Sequence, residues 1–469
     1  MRKDLIFAMG YLEAGRPAAA AAAAREALAE APESPDAHYV LGSALREMDE
    51  PEAALAHLAR AAGLAPGDAA IRHALGLALL QGGDPAAARE HLAFAAARQG
   101  DLGFRESLGA CLAALGLPAE AEPHLRAVAE ARSGSPSSWA NLGSVLTDLG
   151  RCGEAAAAAE RAIALDADHV EAHMARAFAL LRAGRWAEAW PEYEWRWRRR
   201  VFREAYPPAA CPRWRGERLP PDARLWVRGE QGLGDHVQFA RFVPPAAERA
   251  GCPVVLTAPA PLRRLLSTVP GVAACLDRGA PDGCAAEIPM ASLPGLLGAR
   301  PDGLPGGVPF LRAPEAPRLP PRRGGRARIG VVWSDKPKPR SRAVDFDALA
   351  AALSGLEAEI FSLQLGEGHA ARAAAAGWTD LSFLIGDFAD TAALVAQVDA
   401  LVSADTAALH VAGGLGVPVF VLLQAMGDWR WLQRRTDSPW YPSARLLRQE
   451  TQGDWGVPLA ALRAALQSM

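Results

Sequence analysis

One phrase returns through the first two hundred residues and limits what they can fold into. YVLGSAL, HALGLAL, ESLGACL and ANLGSVL place Gly42, Gly76, Gly109 and Gly143 at intervals of 34, 33 and 34. A further step of 34 lands on Ala177, inside ARAFAL, and a step back from Gly42 lands on Ala8. A second phrase follows each of the four glycine phrases: EPEAALAHLARAA, DPAAAREHLAFAA, LPAEAEPHLRAVA and RCGEAAAAAERAI. Pro32 and Pro66 sit one period apart at unit ends. Each unit is too small to bury its own apolar face, so such units must stack on their neighbours.

The register and its two phrases resemble the tetratricopeptide pattern, and about six repeats fit residues 1–203. The Gly/Ala positions predict close approach of the two helices of a pair, and the leucines fill the seam between pairs. The expected product is an α-solenoid with a concave groove suited to a protein or peptide. A dimerisation or spacer module is the plainer alternative. The last repeat carries RWAEAWPEYEWRWRRRVFR, residues 185–203. Its aromatics suit packing against the next domain with the arginines on the solvated side, in preference to nucleic acid.

Composition narrows the class. Of the 469 residues 50% are apolar and 22% charged, and the net charge of -3 gives no general pull toward nucleic acid or acidic lipid. Cysteines 111, 152, 211, 252, 275 and 284 form no CxxC pair and suit a reducing cytosol over a disulfide framework or zinc site. No apolar run approaches the roughly 18 residues of a membrane span. The N-terminal MRKDLIFAMGYLEAGRP is broken by Asp4, Glu13 and Arg16 and falls within the repeat register, so it is not read as a signal peptide. A cytoplasmic protein is expected.

A proline-rich break, YPPAACPRW and RLPPDA, precedes a change of pattern. ARLWVRG (223–229) and PVVLTAP (253–259) read as strands with helical text between them. Residues 294–325 read as a Gly/Pro-rich linker. Alternation restarts with RARIGVVWS, AEIFSLQLG, DALVSAD and PVFVLL as strands. Strands alternating with helices predict parallel, doubly wound sheets. Two Rossmann-like lobes are expected, residues 204–320 and 321–469, with ligands at the strand carboxyl ends.

Three motifs lie at such ends. RGEQGLGDH (228–236) spaces its glycines G-x-x-G-x-G, which is not the dinucleotide fingerprint. Gly232 and Gly234 allow a sharp turn and close approach to a ligand, and Asp235 is either a helix cap or a general base. VVWSDKPKPRSRAV (331–344) clusters Lys336, Lys338, Arg340 and Arg342, either a solvated basic loop or a polyphosphate clamp. SADTAALH (403–410) ends a strand at Asp405 and opens a helix at Thr406, with His410 one turn on. A helix start of this kind binds phosphate; a cap followed by a buried histidine is the alternative.

GEQGLGD, SLQ, SADTAALHVAGGLGVP and GDWRWLQRRTDSPWYPSARLLRQ resemble bacterial proteins that join tetratricopeptide repeats to a domain of glycosyltransferase family 9, the heptosyltransferase-like group. The resemblance implies a GT-B fold and transfer of a sugar from a nucleotide sugar, with no metal and no other cofactor. It implies Asp235 as the base that activates the acceptor and Lys336 or Lys338 on the donor diphosphate. Gly232, Gly234, Arg342 and Gln364 would stand beside the donor. Asp405, Thr406 and His410 would hold its phosphates and sugar. The expected acceptor is a protein held by the repeats, flagellin or another surface protein. A lipopolysaccharide or other glycan acceptor, and a repeat scaffold with an inactive transferase half, are the alternatives.

Overall fold

A computed structural model describes residues 3–98, 101–277, 279–322, 324–334 and 342–469. Its contacts divide the chain into two compact units, Met1–Ala172 and His173–Met469.

The first unit is helical throughout its described elements, from Lys3–Glu13 through Pro17–Glu30, Pro35–Glu47 and Pro51–Leu64 to Pro136–Asp148 and Cys152–Leu165. The starts are written locally. Ser34, Asp68, Asp84, Asp101 and Ser135 accept backbone N–H groups as N-caps, and a proline opens several of the helices. Consecutive helices pack on one another, and the recurring glycine is what lets them do so. A Cβ on Gly42 would stand 2.6 Å from Leu58, on Gly76 2.6 Å from Leu92, and on Gly109 2.7 Å from Leu125. All three leucines are buried, so the glycine and the leucine one helix later form a repeating lock.

The second unit opens partway along helix Val170–Arg182 and contains helix Trp186–Tyr193, which the periodicity assigns to the last repeat. This helix buries Trp186, Trp190 and Tyr193. The Trp190 indole donates to the Ala299 carbonyl (3.0 Å), and Gly295 leaves room for the Trp190 Cβ. The aromatic face therefore packs on the α/β region, as expected. The solvated-arginine reading needs one correction. Arg196 is fully buried, because Glu230 and Glu194 both pair with its guanidinium and neutralise the charge.

Two all-parallel sheets follow. The first contains β1 (Arg224–Arg228), β2 (Val254–Thr257), β3 (Val272–Leu276) and β4 (Cys284–Pro289) in the order β3-β2-β1-β4. The second contains β5 (Ala327–Val332), β6 (Ala358–Ser362), β7 (Thr379–Asp380), β8 (Ala400–Ala404), β9 (Val419–Leu423) and β10 (Ala444–Arg448), ordered β10-β9-β8-β5-β6-β7. That second order is the doubly wound one, reversing between β5 and β8; the first sheet reverses between β1 and β4. Central strands β8 and β9 are buried at every position, as parallel strands covered on both faces must be. β3, β4, β7 and β10 escape the sequence reading, since VAACL, CAAEIP and ARLLR carry few of the β-branched residues that mark strands and β7 is two residues long.

One apolar cluster runs through both sheets' helices. Its aromatic centre joins Trp186 to Trp429 and Trp440, and Trp440 to Phe239 and Phe242, with ring centroids 5.0–6.3 Å apart. The DWRW and SPWYP text thus packs the second sheet's C-terminal segment against the first sheet's helices.

Candidate functional site

On the first sheet, β1 runs out into a tightly held turn. The Gly229 N–H donates to the Thr257 carbonyl (3.0 Å), and buried Glu230 accepts from Arg196 Nε (3.0 Å), Arg196 Nη2 (2.8 Å) and the Ala291 N–H (3.0 Å). Gln231 adopts φ +68°, a strained value for a residue with a side chain. Two tyrosines hold it there: its N–H donates to Tyr206 Oη (2.7 Å), and its amide Nε2 donates to Tyr193 Oη (2.9 Å). Gly232 then precedes helix Leu233–Phe239, and Asp235 Oδ2 accepts the Gly232 N–H at 2.9 Å. Glycine has no side chain to return the bond, so only half of a capping box exists. The other carboxylate oxygen of Asp235 accepts from Arg430 Nη2.

On the second sheet, β8 delivers Asp405 and helix Ala407–Leu415 to the place where the strand order reverses. No side chain caps this helix; the Thr406 hydroxyl sits 3.2 Å from Ser403 Oγ instead. Asp405 is buried. Arg342 donates to its carbonyl at 3.2 Å and lies 3.4 Å from its carboxylate. Burial pushes the Asp405 carboxyl up, Arg342 opposes this, and the nearby Asp428 adds to it.

His410 lies one turn in and is 5% exposed. Its Nδ1 meets Tyr441 Oη at 2.9 Å, and its ring stacks on Trp431 with centroids 5.8 Å apart. A Cβ at Gly234 would come within 3.0 Å of the imidazole, so Gly234 is where the two helices meet. Burial, with Arg430 and Arg342 nearby, drives the His410 pKa down to about 3. The imidazole is neutral and carries no positive charge for a phosphate. A neutral imidazole still carries one N–H, the kind of donor a phosphate or ribose oxygen accepts.

At the end of β5, Gln364 Oε1 accepts the N–H groups of Trp333 (3.0 Å) and Ser334 (2.8 Å), while its Nε2 donates to the Leu365 carbonyl (2.9 Å). Its amide braces the backbone that leads into the basic loop. Lys336, Lys338 and Arg340 lie outside the described residues. The structure thus gathers Gly232, Gly234, Asp235, Arg342, Asp405, Thr406 and His410 at neighbouring strand ends, with Gln364 bonded to backbone one strand away.

Arg430 is the central group that sequence reasoning passed over. Besides Asp235, it donates to Asp428 Oδ1 (2.7 Å) and Gln238 Oε1 (2.5 Å), and its guanidinium lies 4.5 Å from the Trp429 ring centroid. Burial disfavours the charge, but Asp428 and Asp235 more than offset it and hold the proton firmly. Burial would likewise raise Asp428, yet Arg430 keeps it below the usual carboxylate range. Leu432 (φ +49°) and Arg434 (φ +55°) strain the same segment. The aromatic and basic density of GDWRWLQRR was the available signal, but nothing local places it beside Asp235, 195 positions earlier.

Residues 11–78, 73–136 and 141–207 match tetratricopeptide repeat families. Protein FlbA of Caulobacter vibrioides is 28% identical over 362 residues, which cover 70% of this chain and 59% of FlbA. The chain therefore spans less than two thirds of that relative's length. Among solved structures, YrrB, described as a TPR protein with an unusual peptide-binding site, is 20% identical over 38% of this chain and 92% of its own, with a TM-score of 0.33. PilF of Pseudomonas aeruginosa is 18% identical over 44% and 91%, with a TM-score of 0.35. No described helix is long and apolar enough to cross a membrane.

Proposed function

We propose that the second unit is a glycosyltransferase of the two-lobed GT-B kind, moving a sugar from a nucleotide sugar to an acceptor. The reading rests on one observation. Beyond the strand carboxyl ends of two doubly wound sheets, the helix start that carries the carboxylate Asp235 meets the uncapped helix start at Thr406 through Gly234 and Ala407, and the cation Arg342 pairs with Asp405 beside that second start. In this reading the helix N-terminus and Arg342 take the growing negative charge of the departing diphosphate, so no metal is required. Asp235 removes the acceptor hydroxyl's proton as the anomeric carbon is attacked. Its ion pair with Arg430 gives the sequence an order. A donor diphosphate competes for Arg430, and release of Arg430 leaves Asp235 free to act as a base once donor is present. The repeats would hold a protein acceptor, flagellin or another surface protein, with the enzyme working in the cytoplasm.

A repeat scaffold with an inactive transferase half is the second reading. It is favoured by the engagement of both Asp235 oxygens and by the neutral, buried His410.

A thermal-shift panel of UDP-, GDP-, CMP-, ADP- and dTDP-sugars separates the two. A ligand at 100 times its Kd stabilises the folded state by about 2.7 kcal/mol. The transferase reading expects one nucleotide class to raise Tm, a smaller rise in Arg342→Ala, and a full rise but no transfer in Asp235→Ala. Absence of any shift supports the scaffold, and full transfer by Asp235→Ala removes that residue from the mechanism. Transfer to purified glycan but not to protein would replace the protein acceptor.

A further inference from the structure

Cys211 and Cys284 stand 73 positions apart in the chain, yet their Sγ atoms approach to 2.8 Å. Backbone pairing creates the approach. The Glu287 N–H donates to the Pro212 carbonyl (2.8 Å) and the Trp214 N–H to the Glu287 carbonyl (2.7 Å), so residues 212–214 run parallel along β4, at the free edge of the first sheet. Arg213 fixes the segment from the side through Glu194 Oε2 (3.0 Å), Glu287 Oε1 (3.3 Å) and Ser292 Oγ (3.0 Å). The Sγ–Sγ approach of 2.8 Å is less than an ångström from the roughly 2.05 Å of a disulfide bond. Both cysteines, like Cys275, are half-buried and within reach of small reagents, whereas Cys111, Cys152 and Cys252 are buried.

We propose that Cys211 and Cys284 are a thiol–disulfide site, whose oxidation fastens the proline-rich strap of residues 204–214 to the edge of the first sheet. The oxidant is a low-molecular-weight disulfide. The Cys211 thiolate attacks one of its sulfurs, breaks the S–S bond and releases one thiolate. Cys284 then gives up its proton and attacks the Cys211 sulfur, expelling the second thiolate. Two protein thiols lose two electrons and two protons, and the oxidant leaves as two thiols. Cys211 acts first, because burial and the adjacent Cys211 thiol push Cys284 up to about 12 and leave it little thiolate at neutral pH.

The strap is placed where fastening has a consequence. Residues Ala205–Ala210 form one wall of a cavity of about 750 Å³. Trp226, Gly229, Gln231 and Thr257, at the carboxyl ends of β1 and β2, form the facing walls. Oxidation pins the strap immediately beyond that wall and so limits its opening.

The test uses the full chain in mixtures of oxidised and reduced glutathione, quenched with acid, alkylated and mapped without reduction. The expected product is a Cys211–Cys284 cross-linked peptide that disappears with reductant, is absent from Cys211→Ser and persists in Cys252→Ser. Cleavage of the oxidised protein between residues 204 and 214 by a nonspecific protease should slow about tenfold or more, since the tether removes the open state a protease needs. Both thiols remaining alkylatable in the folded wild type at every glutathione ratio, or pairing with other cysteines, overturns the proposal. A cross-link that leaves cleavage unchanged overturns the fastening role. The wild-type map decides the bond even if a variant misfolds.

Discussion

Arg430→Met removes the cation between Asp235 and Asp428 while keeping an apolar stem of similar length. The side chains of Arg430, Asp235 and Asp428 are 12%, 18% and 20% exposed, so water still reaches all three. Removing one partner of a fully buried pair costs about 3–5 kcal/mol, whereas exposed pairs contribute about 0–1 kcal/mol. Discounted for the residual exposure, the loss is about 2–4 kcal/mol at pH 7.5. The pH dependence identifies the cause. In the wild type Arg430 holds the folded Asp428 below its ordinary value, so the pair stabilises above about pH 3.9, the unfolded value, and this is lost as pH falls through the folded value. In the variant the guanidinium is gone, and only the residue-430 backbone N–H and Arg342 still favour the Asp428 carboxylate, so burial raises the folded carboxyl above its wild-type value. The carboxylate is then held less firmly at neutral pH, and protonation relieves part of that cost as pH falls toward 4. Urea unfolding followed by tryptophan fluorescence reports on the right unit, because of the thirteen tryptophans only Trp139 lies in Met1–Ala172. The expected result is a large penalty at pH 7.5 and a smaller one at pH 4.5. A variant within about 0.5 kcal/mol of wild type at pH 7.5, the range of an ordinary surface change, would mean that Arg430 does not stabilise the two carboxylates. So would a penalty undiminished at pH 4.5.

Two further outcomes follow from glycine packing and from His410. Gly413→Ala places a Cβ 2.3 Å from the ring of fully buried Tyr441 and should destabilise by about 3 kcal/mol. Gly63→Ala, with nothing within 4 Å, should stabilise its helix by about 0.5–1 kcal/mol, and thermal melts of both variants check the contrast. His410 stays neutral when folded down to about 3, whereas the unfolded imidazole protonates near 6.5, so the unfolded state binds the extra proton between these values. Stability should therefore fall as pH drops from 6.5 toward 3, by up to about 1.4 kcal/mol per unit from this residue. His410→Gln should flatten that slope in urea titrations, and an unchanged slope would show that the imidazole is already charged in the fold.

The first two hundred residues are legible because their signal is local. A period of 34 fixes which glycine meets which leucine, and Gly42 against Leu58 recurs as Gly76 against Leu92. Asp and Ser caps and helix-opening prolines likewise act within a few residues. In the second unit β1, β2, β5, β6, β8 and β9 are readable as apolar runs, and the turns after β1 and β8 mark where ligands would gather. The alanine-rich strands β3 and β4 are silent, since their place is set by the neighbours they pair with rather than by their own propensity.

Charge pairing divides the two kinds of knowledge most clearly. Neighbouring letters are enough to write the stacked repeats, the alternating strands and helices, and the placing of Asp235 and Asp405 just beyond strand ends. Long-range packing sets the rest: Arg430 reaches Asp235, Arg196 is buried against Glu230, His410 is packed against Trp431 and Tyr441, and Cys211 faces Cys284. Periodicity and capping act over one or two helical turns and leave their mark in neighbouring letters. The partner of a buried charge or thiol is chosen by the packing of segments tens to hundreds of residues apart, and no local pattern records that choice.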